Sequence, residues 1–322
     1  MHPSCMSLSL AIFASLTCLA APSQAWFDMG HMEVAAIAWN TMNPAAQAEA
    51  SRLLRLNPSY GKWVAKIPGE RQAKQDQLVF VRAATWADDI KDDDTYQDRA
   101  NQPSAAGVTR NDGYDRMMHR YWHYYDQSFS VDETPRTAAE APNARTQILA
   151  FRMMLKVLAE TPKGLDAVDQ IKSFDLSWLL HLVGDVHQPL HAITRVTHAE
   201  PEGDGGGNGV TVTCGAECTT LRNLHLFWDG HIGAKAEPWD AIAAAETLAR
   251  ADPARAAILD EEVWFKESFD IAREHVYAGP IGIGTGPFAL DQDYMNMVAR
   301  ISHERIALAG ARLGNLLNEL LK

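Results

Sequence analysis

The chain has 322 residues, 47% of them hydrophobic, enough for one large domain or two ordinary ones with a real apolar core. Its formal net charge of −12 excludes a generally basic surface for nucleic acid, although it leaves room for a single cationic site.

Residues 1–25 carry the pattern of a secretory signal. Leu8 to Ala21 is mostly apolar and uncharged, and Ser23-Gln24-Ala25 is a small-x-small cleavage sequence before Trp26. The amino-terminal stretch has His2 but no Lys or Arg. The apolar run is too short for a transmembrane helix, so a soluble exported protein, periplasmic or secreted and without a membrane anchor, is expected. Cleavage would leave Cys214 and Cys218 as the only cysteines, and an oxidising compartment favours their pairing as a small local disulfide.

Helical periodicity then dominates. Met32 to Met42 reads as a helix. Asn43 caps the next, with Pro44 at its first position, running to about Leu56. Pro58, Gly61, Pro68 and Gly69 mark a turn-rich stretch. Glu70 to Lys91 reads as one longer helix, Asp92 to Asp115 as a polar loop and the aromatic Arg120 to Tyr125 as extended. Asn143 caps a helix to Glu160. Leu165 to His187 is helical with a possible interruption near Ser173. Gly203 to Gly209 is an irregular glycine loop, and Val210 to Thr213 is the expected strand of a small β-hairpin. Leu221 to Ile232, Trp239 to Arg250 and Asp260 to Tyr277 read as helices. A Gly/Pro loop, Gly279 to Pro287, precedes a long final helix, Asp291 to Leu321. The fold class is mostly α: a single α-helical domain over residues 26–322.

The chemistry concentrates in His181-Leu-Val-Gly-Asp185-Val-His187-Gln-Pro189-Leu-His191. The flanking residues are apolar, so the segment is expected to be buried, and buried charge demands partners or a metal. His181 and Asp185 are four apart and share a helix face. Pro189 breaks the helix, so His191 can approach the same centre from another direction. One such histidine is usually a satisfied core residue. Imidazole and carboxylate clustered at helical spacing are instead what a zinc site requires. A second pair, His225 and Asp229, has the same i, i+4 spacing. Asp88, in Trp-Ala-Asp, and His123, in an aromatic run, would by themselves be a helix-end acid and a packed ring. His31 lies five residues after Trp26, whose amine, if freed by cleavage, would titrate near 7.7–8.0 and is accessible to a metal.

Taken in order, these motifs resemble the zinc-dependent S1/P1 nuclease family, which is related to bacterial zinc phospholipase C. The matches are a Trp after the signal with W-x-x-x-x-H, then W-A-D, an aromatic-flanked H-Y, H-x-x-x-D-x-H-Q-P-L-H, G-D-x-G-G-N and N-L-H-x-x-W-D, spanning residues 26–229. The resemblance implies three Zn2+ ions. One is held by Asp88, His123, His181 and Asp185, a second by His191, His225 and Asp229, and a third by the Trp26 amine and carbonyl, His31 and a bridging Asp185. It also implies hydrolysis of single-stranded DNA and RNA to 5′-phosphate products by two-metal chemistry, and leaves 3′-nucleotidase activity on nucleotides open. Asp88 and Lys91 are the implied catalytic positions. Lys91 would hold phosphate; the alternative is a solvated lysine at a helix end. Tyr124 would stack on a base and Asp126 would read a base edge, with Asn208 helping to close the pocket. Stacking of that kind favours single strands; the plain alternative for Tyr124 is packing. His187 is expected to support the ligands rather than bind metal. Two other readings stand beside the nuclease: a zinc phospholipase C, which typically has Glu at the place of Asp229, and a non-catalytic exported zinc-binding protein. A monomer with no obligate protein partner is expected.

Overall fold

The computed structural model describes residues 26–98, 114–215, 217–233 and 236–321; the expected signal peptide and much of the polar loop after Asp92 lie outside them. The first helices are α1 (Asp28–Thr41), α2 (Pro44–Leu54), α3 (Tyr60–Ala65), α4 (Gln72–Ala83) and α5 (Trp86–Asp89). After a strand, β1 (Ser128–Ser130), come α6 (Ala144–Leu158) and the 22-residue α7 (Asp166–His187). The remainder is β2 (Thr194–Val196), β3 (Val212–Thr213), α8 (Leu224–Gly230), α9 (Pro238–Ala245), α10 (Pro253–Ala256), α11 (Glu261–Ile271), β4 (Phe288–Ala289) and α12 (Gln292–Leu320). The protein is mostly α. Among the described residues no helix is long and apolar enough to cross a membrane.

Local chemistry explains most boundaries. Asn43 caps α2 by accepting from Ala46 N at 3.0 Å. Asn143 caps α6 in a reciprocal box with Thr146. Asp291 caps α12 through Tyr294 N at 2.8 Å.

Four sequence expectations are corrected. The turn-rich stretch after Pro58 contains a short helix, α3, fastened by the buried Trp63. The helix expected over 70–91 breaks at Ala84 and Thr85. There the Ala84 carbonyl accepts from His181 Nδ1 at 2.8 Å, and the Thr85 hydroxyl donates to Arg82 O at 3.0 Å. Residues 120–123 form a 3-10 turn rather than extended chain, closed by Trp122 N on His119 O at 2.9 Å; the backbone becomes extended only at Tyr124. The strand at 210–213 exists as β3, but its partner is β4 and the pairing is parallel. β1 and β2 also pair in parallel. Helix α7, by contrast, runs through Ser173 without interruption, the serine hydroxyl donating to Leu53 O at 2.8 Å.

Helix α7 is the axis of the molecule. Every residue from Lys172 to Thr197 is buried. A large core packs around it, with Trp178 in edge-to-face contact with Trp86 and Trp122 at 5.7 and 4.9 Å. A smaller core, including Leu190, Ile193, Leu224, Phe227 and Trp228, fills the space beyond its end.

Candidate metal centre

Eight of the side chains singled out in the sequence converge at the end of α7, and all are buried: His31, Asp88, His123, His181, Asp185, His191, His225 and Asp229. His181 and Asp185 come from one face of α7. His31 comes from α1, Asp88 from α5, His123 from the 3-10 turn, His191 from the turn Pro189–Ala192, and His225 with Asp229 from α8. Their ligating atoms fall into groups in which all lie within 4.8 Å of one another, among them His123/His181/Asp185 and His191/His225/Asp229, with His31/Asp88/His181 overlapping the first.

The spacing inside the first group is that of a coordination shell. His181 Nε2 and His123 Nδ1 face each other at 3.0 Å. Asp185 Oδ2 lies 3.1 Å from His123 Nδ1 and 3.4 Å from His181 Nε2. Asp88 Oδ1 lies 3.7 and 3.6 Å from the same two nitrogens. A tetrahedral zinc with ligands ~2.0–2.2 Å away has ligand–ligand edges of roughly 3.3–3.6 Å. The other carboxylate oxygen, Asp185 Oδ1, points elsewhere, to 3.3 Å from His31 Nε2, with no hydrogen bond made by either atom. Asp185 therefore serves two directions with its two oxygens. In the second group, His191 Nε2 and His225 Nε2 are 3.1 Å apart and Asp229 Oδ2, buried without a hydrogen bond, is 3.4 Å from His225 Nε2.

Backbone carbonyls fix the imidazole tautomers. His181 Nδ1–H donates to Ala84 O, His191 Nδ1–H to His123 O at 2.7 Å and His225 Nδ1–H to Gly206 O at 2.7 Å. Each leaves Nε2 as an acceptor facing its group, the arrangement by which outer partners orient metal-binding imidazoles. Burial drives the electrostatics. It pushes the imidazoles of His123, His181 and His191 well below their ordinary range, raises Asp185 to about 7 and lifts Asp229 well above the usual carboxylate range. Neutral imidazoles beside buried carboxylates, of which Asp88 is met by Lys91, are a donor set suited to divalent cations.

Glycines admit the first segment to this centre. A Cβ at Gly184 would stand 2.7 Å from His31 Nδ1, and one at Gly30 would stand 2.6 Å from Trp26 Cβ. His31 consequently stacks on His181 with ring centroids 3.8 Å apart. Trp26 is buried, and the next residue, Phe27, donates its N–H to Asp229 O at 3.2 Å.

The remaining sequence candidates are placed as follows. Lys91 is not a solvated helix-end lysine. It is buried, with Nζ 2.6 Å from Asp88 Oδ1. Tyr124 and Asp126 alternate along an extended stretch with Tyr125, whose ring packs edge-on against Phe265 at 5.3 Å. Burial, and then Asp204, push Asp126 up to about 7. Asn208 donates its amide to Gly205 O at 2.8 Å, within its own loop. Cys214 and Cys218 form a disulfide. His187 is in none of the ligand groups; its Nδ1 donates to Val183 O at 2.8 Å.

Two contributors escaped the sequence reading. Gln188 donates Nε2–H to Asp229 Oδ1 at 2.6 Å while its Oε1 accepts from Leu190 N, which turns Asp229 Oδ2 toward the histidines. The glycine loop supplies the Gly206 carbonyl to His225. Gly206 has φ +62, and a Cβ there would stand 2.4 Å from Leu190 O, so only glycine fits. The run Gly205-Gly206-Gly207 was the available signal.

A buried set of imidazoles and carboxylates with tetrahedral spacing, arranged around a carboxylate that faces two ways, defines a candidate polynuclear metal centre on a mostly α scaffold. The family described as S1/P1 nuclease matches residues 26–322, and the chain belongs to it. Nuclease S1 of Aspergillus oryzae is 24% identical over 245 residues, which cover 74% of this chain and 66% of that relative, just under two thirds of its length.

Proposed function

We propose that the protein is an exported zinc-dependent nuclease that hydrolyses phosphodiester bonds of single-stranded DNA and RNA and leaves 5′-phosphates. The observation that carries this reading is Asp185, whose two oxygens face two different sets of ligand atoms. In this reading zinc would be held by Asp88, His123, His181 and Asp185, by His191, His225 and Asp229, and by His31 with Asp185 and the backbone of Trp26. Bound there, it supplies Lewis acidity, making water nucleophilic near neutral pH and offsetting charge on the phosphate.

The chain's own groups do the rest. Asp88, held by Lys91, orients its carboxylate into the first group, and the Lys91 ammonium adds a positive charge beside the phosphate. Gln188 keeps Asp229 aimed inward. Tyr124 offers a half-buried ring for one unstacked base. Asp126 stands two residues on, its carboxyl raised by burial and then by Asp204, and would accept from a base edge. Asn208, tied to Gly205 O within its loop, helps close the pocket. Removal of residues 1–25 would free the Trp26 amine beside His31.

The test is digestion of single- and double-stranded DNA, RNA and 3′-nucleotides by residues 26–322, with and without a zinc chelator, reading product termini and assaying phosphocholine release in parallel. Chelator-sensitive cleavage of single strands to 5′-phosphates is expected. Intact single strands with zinc present would overturn the reading, and phosphocholine release in their place would establish a phospholipase.

A further inference from the structure

The last turn of α7 is gripped from behind by a polar cluster that takes no part in the proposed reaction. Arg305 and Arg312 of α12 are 2% and 0% exposed. Both donate to Glu267 of α11, Arg305 Nη1 at 2.8 Å and Arg312 through Nη1 and Nη2 at 2.7 and 3.0 Å. Burial alone would raise the Glu267 carboxyl, but Arg312 and Arg305 hold it down at about 2.

The two arginines reach past Glu267 to α7. Arg305 Nε donates to His187 O at 3.1 Å and its Nη2 to Ser268 Oγ at 2.8 Å; the Ser268 hydroxyl in turn donates to Val186 O. Arg312 Nη1 donates to His187 Nε2 at 3.0 Å. That ring therefore carries its proton on Nδ1, which donates to Val183 O. Asp185 O accepts from Gln188 N at 3.0 Å. A helix end leaves its last carbonyls without partners; here those of residues 185, 186 and 187 are all satisfied. Cations at a helix carboxyl end also favour its dipole.

We propose that Glu267, Arg305, Arg312 and His187 are positioning residues that set the register between Asp185 and His191. Those two residues belong to different ligand groups and are separated by five residues, of which Val186 and His187 are the ones gripped. Arg305 and Arg312 are seven apart on α12, so both guanidiniums leave the same helix face and close on the same turn. The inference rests on the metal-centre reading of α7 and not on the identity of the substrate.

The experiment uses His187→Leu, which removes the acceptor of Arg312 but leaves every charge in place, and His187→Gln, whose amide oxygen restores an acceptor. Residues 26–322 are stripped with a chelator and titrated with Co2+. The visible spectrum, the stoichiometry, competition with a chromophoric chelator and thermal unfolding are read on the same samples. His187→Leu is expected to fold and to lose about 10–100-fold in cobalt affinity, with an altered visible band, while His187→Gln keeps the wild-type affinity and band. A folded His187→Leu with a lower unfolding midpoint but unchanged cobalt affinity and spectrum would overturn the proposal. So would a His187→Leu chain that fails to fold, because the cluster would then hold the fold and not the ligand register. Wild-type protein that binds cobalt but leaves nucleic acid intact would remove the nuclease reading and leave this one standing; wild-type protein that binds no cobalt would remove both.

Discussion

The ligand group around Asp185 and the group around Asp229 are neighbours with different construction. The first draws on α1, α5, the 3-10 turn and α7, and its positions are set by large rings: Trp86, Trp122 and Trp178 pack edge-to-face behind it. The second draws on one turn and one short helix, backed by the smaller core. Its positions are set by backbone, through the Gly206 carbonyl, the Gln188 side chain and a segment closed by the Cys214–Cys218 disulfide. Dense side-chain packing can hold a charged group against solvent from several directions at once. A loop can do so only where its φ and ψ angles are fixed one by one, which is why the second group depends on glycine at position 206.

Several substitutions would separate the two constructions. Asp185→Ala should have the largest effect, because its oxygens face both His31 and the His123/His181 pair. Loss of several kcal/mol of transition-state stabilisation, about 10³-fold in kcat/KM, is expected, with metal content falling by more than one ion per chain in elemental analysis. Retention of full metal content would refute the proposal that Asp185 serves two metals.

Gly206→Ala should come next and act on the second group alone. Backbone strain of about 1–3 kcal/mol and a shifted His225 should weaken one metal about 10–100-fold and leave the others unchanged. Metal titration by calorimetry would show whether one site or all of them respond.

Cys218→Ser should be milder. A loop this short contributes about 2 kcal/mol through the unfolded chain, so the unfolding midpoint should fall while kcat changes little. A collapse of activity with stability preserved would mean that the clip sets the geometry of α8 itself.

A last effect is one of pH, read on stability alone. Asp126 is held up at about 7 by burial and then by Asp204, against about 3.9 in an unfolded chain. The folded protein therefore keeps a proton that the unfolded chain releases between about pH 4 and 7. Acid favours folding across that window, and above pH 7 the cost of the buried charge is felt in full. Asp126→Asn should raise the unfolding midpoint of the chelated protein more at pH 8 than at pH 5. Equal gains at both would place the Asp126 carboxyl in water.

The i, i+4 pairs His181/Asp185 and His225/Asp229 were legible because helical spacing alone puts them on one face, and Pro189 announced the change of direction before His191. Asn43 and Asn143 announced helix starts, since capping is a local matter. Other features depended on partners far along the chain. The parallel pairing of β3 with β4 joins residues more than seventy positions apart. The break at Ala84 arises because a histidine about a hundred residues away takes that carbonyl. Lys91 as a phosphate-holding side chain or as a solvated helix-end lysine stays open in the sequence, and only the fold seats it against Asp88 in a closed site. Arg305 and Arg312 were visible as two charges seven apart within the apolar pattern of α12, but nothing local says that they end on the carboxyl end of α7.

The unbroken burial from Lys172 to Thr197 has a consequence in time. A helix with no solvent-facing side has no inexpensive local opening, so its amides should exchange with deuterated solvent only when the whole protein opens. His181, Asp185 and His191 lie within that stretch. How long the chain keeps its ligands in place is then the same quantity as how long it stays folded.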